Sequence, residues 1–180
     1  KNDTMQKEMT NKKAISKEAA LSRLAALCAR SEQCIQSCME KLSRWGVSAD
    51  DSATIIQHLV AEKYIDERRY ATLFTKDKHR LAHWGKNKIA NTLKLSKIPS
   101  AYINEALAQI SDESYETQLT DLVMKKLKSC KAKNSYDLKA KLYRFAISRG
   151  FESNLALSAI EDILKNNIIN YTEQDETFND

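Results

Sequence analysis

The sequence predicts an all-α protein, an elongated tandem array of three three-helix repeats, and three observations carry that expectation. The 180 residues include only three glycines and one proline, so the turn chemistry that punctuates sheets is nearly absent. Apolar residues recur at helical spacing along almost the whole chain, and no stretch alternates with period two over strand length. The chain also aligns on itself: Val47, Ile98 and Phe151 stand 51 and 53 residues apart, each beside a short turn. A hydrophobic content of 42% with 29% charged residues suits soluble amphipathic helices and excludes collagen-like, disulfide-framework and Gly/Pro-rich disordered classes.

Nine helices follow in order. The first, over 17–29, carries Leu21, Leu24, Ala25 and Cys28 at i, i+3, i+4, i+7. The second, over 32–45, places Ile35, Cys38, Met39, Leu42 and Trp45 on one face after Ser31 as candidate N-cap. Ser48 and Asp51 form a capping-box pattern at the start of 49–62. Asp66 precedes 67–82, whose core face reads as Tyr70, Leu73, Phe74 and Leu81. The remaining helices fall over 86–96, 100–110, 115–129, 135–149 and 153–166, with Ser100 and Ser153 as further candidate caps. Gly46, Gly85 and Gly150 stand where helices should stop or turn.

The repeat extends beyond one position. Val47, Ile56 and Leu59 share a spacing with Ile98, Leu107 and Ile110, and with Phe151, Ile160 and Ile163. Cys38, Ile89 and Leu142 correspond, as do Met39, Ala90 and Tyr143, and Gly46, Lys97 and Gly150. The expected organisation is therefore repeat 1 over 17–64, repeat 2 over 65–112 and repeat 3 over 113–168. The polar segments 1–16 and 169–180 are expected to be disordered. Units this small bury too little surface alone, so neighbours should stack into an array with a long surface suited to an extended partner.

The net charge of +5 conceals a strong partition. Residues 67–110 carry nine basic and three acidic groups, and residues 124–149 carry nine basic groups against Asp137 alone. The last ten residues hold Glu173, Asp175, Glu176 and Asp180 without a cation. On a helical wheel, Arg69, Lys76, Arg80 and His83 fall on one line of the helix over 67–82, with Trp84 and Lys86 just beyond. Cations on a line ending in an aromatic can track a phosphate backbone or an acidic protein surface; the plainer alternative is a solvated face. The second block (Lys125, Lys126, Lys128, Lys131, Lys133, Lys139, Lys141, Arg144 and Arg149) straddles a helix–turn–helix junction, suited to a polyanion, an acidic partner or the chain's own acidic tail.

No set of residues points to catalysis. Asp77 lies within the apolar face read for its helix, where an inter-helix ion pair is the expected role. His79 and His83 are spaced to hold a metal but sit among cations, without a partner glutamate. Cys28, Cys34 and Cys38 read as small core residues in preference to a zinc site, since Cys38 occupies a repeat position filled elsewhere by Ile89 and Leu142. GxSxG, P-loop and Rossmann glycine patterns are missing from the sequence. The expectation is a non-enzymatic protein without cofactor or metal. No apolar run approaches the roughly 20 residues of a membrane span, and residues 1–16 lack the apolar centre of a signal peptide. Unpaired cysteine spacing fits a reducing compartment, so a cytoplasmic monomer is expected.

Three segments, 28–47, 64–74 and 84–98, resemble the RecX family of regulators of the bacterial RecA recombinase. The carrying residues are Tyr64-Ile65-Asp66, then Arg69-Tyr70-Ala71, then Gly85 with Ile89 and Leu93. The resemblance covers about 30–166; Lys97 stands where the family commonly has glycine. It implies an all-helical array of three three-helix units that binds the RecA filament on DNA and restrains its recombination, ATPase and coprotease activities in DNA repair and the SOS response. Direct binding to single- or double-stranded DNA is also implied, and a stand-alone helical DNA-binding protein is the alternative. The residues expected to make these contacts are Arg68, Arg69, Lys76, Arg80, Trp84, Lys86, Lys125, Lys128, Lys141 and Arg144.

Overall fold

The computed structural model describes residues 15–176, with side chains through Asn166. It contains nine α-helices and, among the described residues, no strand: α1 (Lys17–Arg30), α2 (Ile35–Arg44), α3 (Ala49–Ala61), α4 (Glu67–Arg80), α5 (Lys86–Leu95), α6 (Ser100–Ala108), α7 (Asp112–Ser129), α8 (Ser135–Arg149) and α9 (Ser153–Glu176). Contacts group them in threes. In the first group α1 and α2 pack on α3, whereas within α4–α6 and α7–α9 every helix touches the other two.

The internal repeat is visible in the backbone itself. Gly46, Lys97 and Gly150 all adopt left-handed conformations, with φ of 75°, 59° and 91°. In each unit the amide after this residue donates to the carbonyl five residues earlier: Val47 to Leu42, Ile98 to Leu93 and Phe151 to Ala146, at 3.1, 3.1 and 3.2 Å. These are three copies of one Schellman stop, which ends the second helix of each unit and starts the third at a fixed angle. The apolar residue after each stop turns toward the core; Ile98 and Phe151 are buried and Val47 is half-buried. Lys97 holds the same turn without glycine, at the cost of a left-handed side-chain-bearing residue.

The core is divided unequally. Residues including Leu24, Cys38, Leu42, Ile55 and Leu59 form one cluster within α1–α3. A second, continuous cluster runs through both later units, from Ile89, Leu93 and Ile103 through Tyr115 and Leu119 to Leu142, Phe151 and Ile160. Cys34, in the turn before α2, belongs to this second cluster and so ties the first unit to the second. The cysteines otherwise act as small apolar residues: burial pushes the Cys38 thiol up to about 12 and raises that of Cys28, with which it shares a hydrogen bond.

Several expectations need correction. Helix α2 begins at Ile35, because Cys34 and not Ser31 caps it; its Sγ accepts from the Ser37 amide. Ser100 is the first residue of α6 and Pro99 its cap, with no side-chain capping bond. Helix α7 starts at Asp112, three residues earlier than the apolar pattern showed, because its first turn is polar and exposed apart from Tyr115. Helix α9 continues to Glu176, through part of the tail expected to be disordered; no glycine or proline after Gly150 stops it. At the other end, Ile15 packs on the first core and Ser16 caps α1, whereas the rest of the N-terminal expectation and residues 177–180 lie outside the described residues.

The largest correction concerns α4. Its buried line is Ala71, Thr75 and His79, while Leu73 is 40% and Leu81 79% exposed. Helix α4 crosses α6 in the most extensive helix contact of the chain, and close crossing favours small side chains over leucine at the interface. The buried line is thus rotated by about 140° from the centre of the face read off the large apolar residues. Asp77 consequently stands in solvent and forms no ion pair among the described residues.

Candidate interaction surface

Rotating α4 has a direct consequence for its cations. Lys76 and Arg80 lie nearly opposite Ala71 and are exposed, and neither forms an ion pair among the described residues. They rim a groove of about 580 Å³ between α4, α6 and the start of α7. A second groove, of about 450 Å³, shares Ser111, Ser114 and Gln118 with the first and continues along α7 past His83 to Lys125. The fold therefore places Lys76 and Arg80 of α4 and Lys125 of α7 along two adjoining grooves, the second of which also carries Glu113 and Asp121.

Other residues of the basic stripe serve as joints. The Arg69 Nε donates to Glu32 Oε1 at 2.7 Å, bridging the second unit to the first, and its Nη2 donates to the Lys63 carbonyl. Arg68 grips Glu105 of α6 through Nε and Nη2 at 2.6–2.9 Å. Lys86 reaches Asp112 at 3.2 Å and lies 4.7 Å from the Tyr115 ring centroid. Trp84 is half-buried, edge-on to Phe74, with Lys78 and Lys88 over its ring at 5.3 and 4.7 Å. Half-buried cations over an aromatic face brace that corner, so Trp84 is a support more than an exposed stacking platform.

The joint between the second and third units is made of backbone. The Gly85 amide donates to Arg149 O at 2.8 Å, and the Asn87 amide donates to Gly150 O at 3.1 Å. The Lys86 amide donates to the Tyr115 hydroxyl at 2.8 Å, and that hydroxyl donates to Glu152 Oε2 at 2.7 Å. Burial holds the Tyr115 phenol well above its ordinary range, so it stays protonated as the relay requires. A Cβ on Gly85 would lie 2.2 Å from Gly150 O, and one on Gly150 would lie 2.2 Å from Lys88 Cβ. Glycine is required at both positions by close approach; at Gly150 left-handed backbone adds to it.

The second basic block surrounds a cavity of about 420 Å³ at the α7–α8 turn, lined by Lys126, Lys131, Lys141 and Arg144. Part of its charge is answered internally. Lys141 donates to Asp137 Oδ2 at 2.7 Å and to the Lys131 carbonyl at 2.8 Å, and Lys139 pairs with Glu161 at 2.6 Å. Lys128 and Arg144 remain exposed and without ion pairs among the described residues. No cluster of three metal-ligating side chains occurs among the described residues. His79 is buried and His83 exposed.

Residues missed from sequence also line the first groove: Thr75, Gln118 and His79. Their signal was the spacing Ala71, Thr75, His79 at i, i+4, i+8, a small and polar stripe that a search for large apolar residues passes over.

The fold and surface together define a tandem three-helix repeat protein, with its last two units fused through one core and unpaired cations along two adjoining grooves at their junction. Family models of the second and third three-helix domains of RecX match residues 66–107 and 113–160. A regulatory protein RecX of Clostridium botulinum (strain Eklund 17B) is 31% identical over 128 residues, covering 70% of this chain and 58% of the relative. Its counterpart in Clostridium beijerinckii is 30% identical over 126 residues, covering 69% and 57%. The chain thus spans a little under three-fifths of the length of these two relatives. The crystal structure of a regulatory protein RecX superposes with a TM-score of 0.73 at 19% identity, covering 81% of this chain and 71% of the other. That of RecX from Lactobacillus salivarius gives 0.69 at 15% identity, with coverages of 81% and 95%. The chain belongs to the RecX family, whose named members are regulatory proteins. Among the described residues, no helix is long and apolar enough to cross a membrane.

Proposed function

We propose that this chain restrains the RecA recombinase by binding its filament on DNA through the groove-side cations, with Lys76 and Arg80 as the principal contacts. One observation supports the reading: among the described residues these two have no counter-ion, on a helix whose other arginines, Arg68 and Arg69, are paired within the fold. Unpaired cations on a fixed frame attract an acidic or phosphate surface without first breaking an internal pair. Lys125, Lys128 and Arg144 extend the contact onto the third unit, while Arg69 and Lys86 join neighbouring units and Arg68 and Lys141 brace single units, all contributing indirectly. A row of joined units spans successive protomers of a filament better than a single compact domain does.

The test is ATP hydrolysis by RecA filaments on single-stranded DNA, with the parent protein and Lys76→Glu/Arg80→Glu. The parent should slow hydrolysis, and the double variant should lose that effect while keeping its helical content and unfolding midpoint. Unaltered inhibition by the folded variant would remove this surface from the mechanism. The rival reading, a DNA-binding protein acting alone, is favoured by DNA affinity that is steeply salt-dependent and unchanged on adding recombinase.

A further inference from the structure

The two joints of the array are built differently. Between the second and third units, two backbone hydrogen bonds cross and one apolar core runs through both. Between the first and second units no backbone–backbone bond crosses among the described residues, and the extensive contacts of α1, α2 and α3 are all with one another. Ile65 is 2% exposed in the first core and Asp66 already caps α4, so the chain passes from one body to the other at a single extended residue (φ −142°, ψ 106°). Side chains close the gap. Arg69 donates to Glu32 at 2.7 Å, the Glu67 carboxylate faces the Ile35 amide, and Cys34 packs into the second core beside the Tyr70 hydroxyl. The closed joint also carries a penalty: Glu32 Oε2 is withheld from water with no hydrogen-bond partner.

We propose that the first unit is an arm that swings about Asp66 relative to a rigid body formed by the second and third units, with the Glu32–Arg69 pair as its latch. A hinge needs only a residue or two free to change φ and ψ, and an extended position between two separate cores supplies that freedom. The side chains of Glu32 and Arg69 are 26% and 40% exposed, so solvent and salt weaken the pair that holds the joint closed. Opening returns the unpartnered Glu32 oxygen to water, which offsets part of the loss of the pair. It also releases the Arg69 guanidinium, seven residues before Lys76 and eleven before Arg80 on one line of α4. The joint therefore sets how many free cations that line presents: Lys76 and Arg80 when closed, with Arg69 added when open. At the next joint the same motion is blocked, because backbone bonds fix Gly85 and Asn87 to Arg149 and Gly150.

The test is double electron–electron resonance on the full chain, with spin labels on the native Cys130 and on Gln57→Cys. Cys28, Cys34 and Cys38 are buried and escape labelling, while Gln57 is exposed on α3. A second pair, Cys130 with Asn104→Cys of α6, reports on the body of the second and third units. In low salt the first pair should give one dominant distance and a minor population at other distances. Glu32→Gln should enlarge that minor population by about fivefold, the ratio expected for loss of one partly exposed ion pair. Raising the salt from about 0.05 to about 1 M should enlarge it in the parent and change the Glu32→Gln protein little, because the same pair is already lost. The second pair should keep one distance throughout. An ion pair that merely stabilises a rigid array would lower the unfolding midpoint on Glu32→Gln and leave both distances as they are. That result, or equal broadening of both pairs, overturns the proposal. If Glu32→Gln does not fold, the parent decides alone: a first distance unchanged at high salt overturns the proposal.

Discussion

Replacing Gly85 with alanine isolates the joint between the second and third units. Gly85 has φ −76° and ψ 162°, a conformation that alanine adopts freely, so backbone preference gives no reason for glycine here. By unfolded-state entropy alone, the substitution should stabilise the protein by about 0.4–1 kcal/mol. The structure demands the opposite sign. The added Cβ would lie 2.2 Å from Gly150 O, 2.3 Å from Gly150 C and 2.4 Å from the Phe151 amide nitrogen, all backbone atoms that cannot rotate aside. The two segments must separate, which strains or breaks the bonds from Gly85 N to Arg149 O, from Asn87 N to Gly150 O and from Lys86 N to the Tyr115 hydroxyl. At about 1 kcal/mol net for each, the loss is about 3 kcal/mol, a large part of the roughly 5–15 kcal/mol that holds a domain folded. Urea unfolding followed by helical circular dichroism reads the change, and hydrogen exchange at the amides of Gly85, Lys86 and Asn87 locates it. An unfolding free energy equal to or above the parent's would refute the close-contact argument outright.

Three further outcomes are expected. Lys97→Gly should raise stability by about 1 kcal/mol in the same urea assay, because Lys97 holds a left-handed φ of 59° in a turn that Gly46 and Gly150 make without penalty. Tyr115→Phe removes the hydroxyl that links the Lys86 amide to Glu152 and should cost about 2 kcal/mol, with exchange accelerated at the Lys86 amide. Burial lowers the folded-state pKa of His79 below the unfolded value near 6.5, so the unfolded chain binds the extra proton first. Stability should therefore be steady above that value and fall as the pH drops below about 6.5. His79→Gln should flatten that slope in urea midpoints taken at several pH values, and an unchanged slope would assign it to other groups.

The joints also decide which cations are paired within the fold. Of the cations in the two basic blocks, Arg68, Arg69, Lys86, Lys139 and Lys141 are all engaged by Glu105, Glu32, Asp112, Glu161 and Asp137. Most of these pairs are surface-exposed and contribute at most about 1 kcal/mol each, so the importance of those that link different helices lies in setting their orientation, while Lys141 and Asp137 pair within α8. Arg69 is the clearest case. Reversing its charge would place a carboxylate against Glu32, disturb the first joint and confound any test of partner binding.

Much of the fold is legible in residue order because its information is local. Helix spacing, the caps Ser48 and Asp66, and the correspondence of Gly46, Lys97 and Gly150 all depend on neighbours within one turn or one stop motif. The repeat survives at Lys97 because the six-to-one bond from Ile98 to Leu93 is set by backbone geometry and the buried Ile98, not by glycine alone. The excess of cations over residues 67–110 and 124–149 is likewise a property of composition.

The buried face of α4 had no such local source. Leu73 and Leu81 are the larger apolar residues, yet Ala71 and Thr75 are buried, because close packing against α6 rewards small side chains and only the crossing itself reveals how close the helices come. The same rotation decides that Lys76 and Arg80 face the first groove, that Asp77 stands in solvent, and that His79 and Gln118 line one cavity from helices far apart in sequence. Residue order determines nine helices, their threefold repetition and where positive charge accumulates, since each arises from spacing or count. Which cations are bound and which are free, and why Gly85 admits no side chain, follow from contacts between units that exist only once the helices have docked.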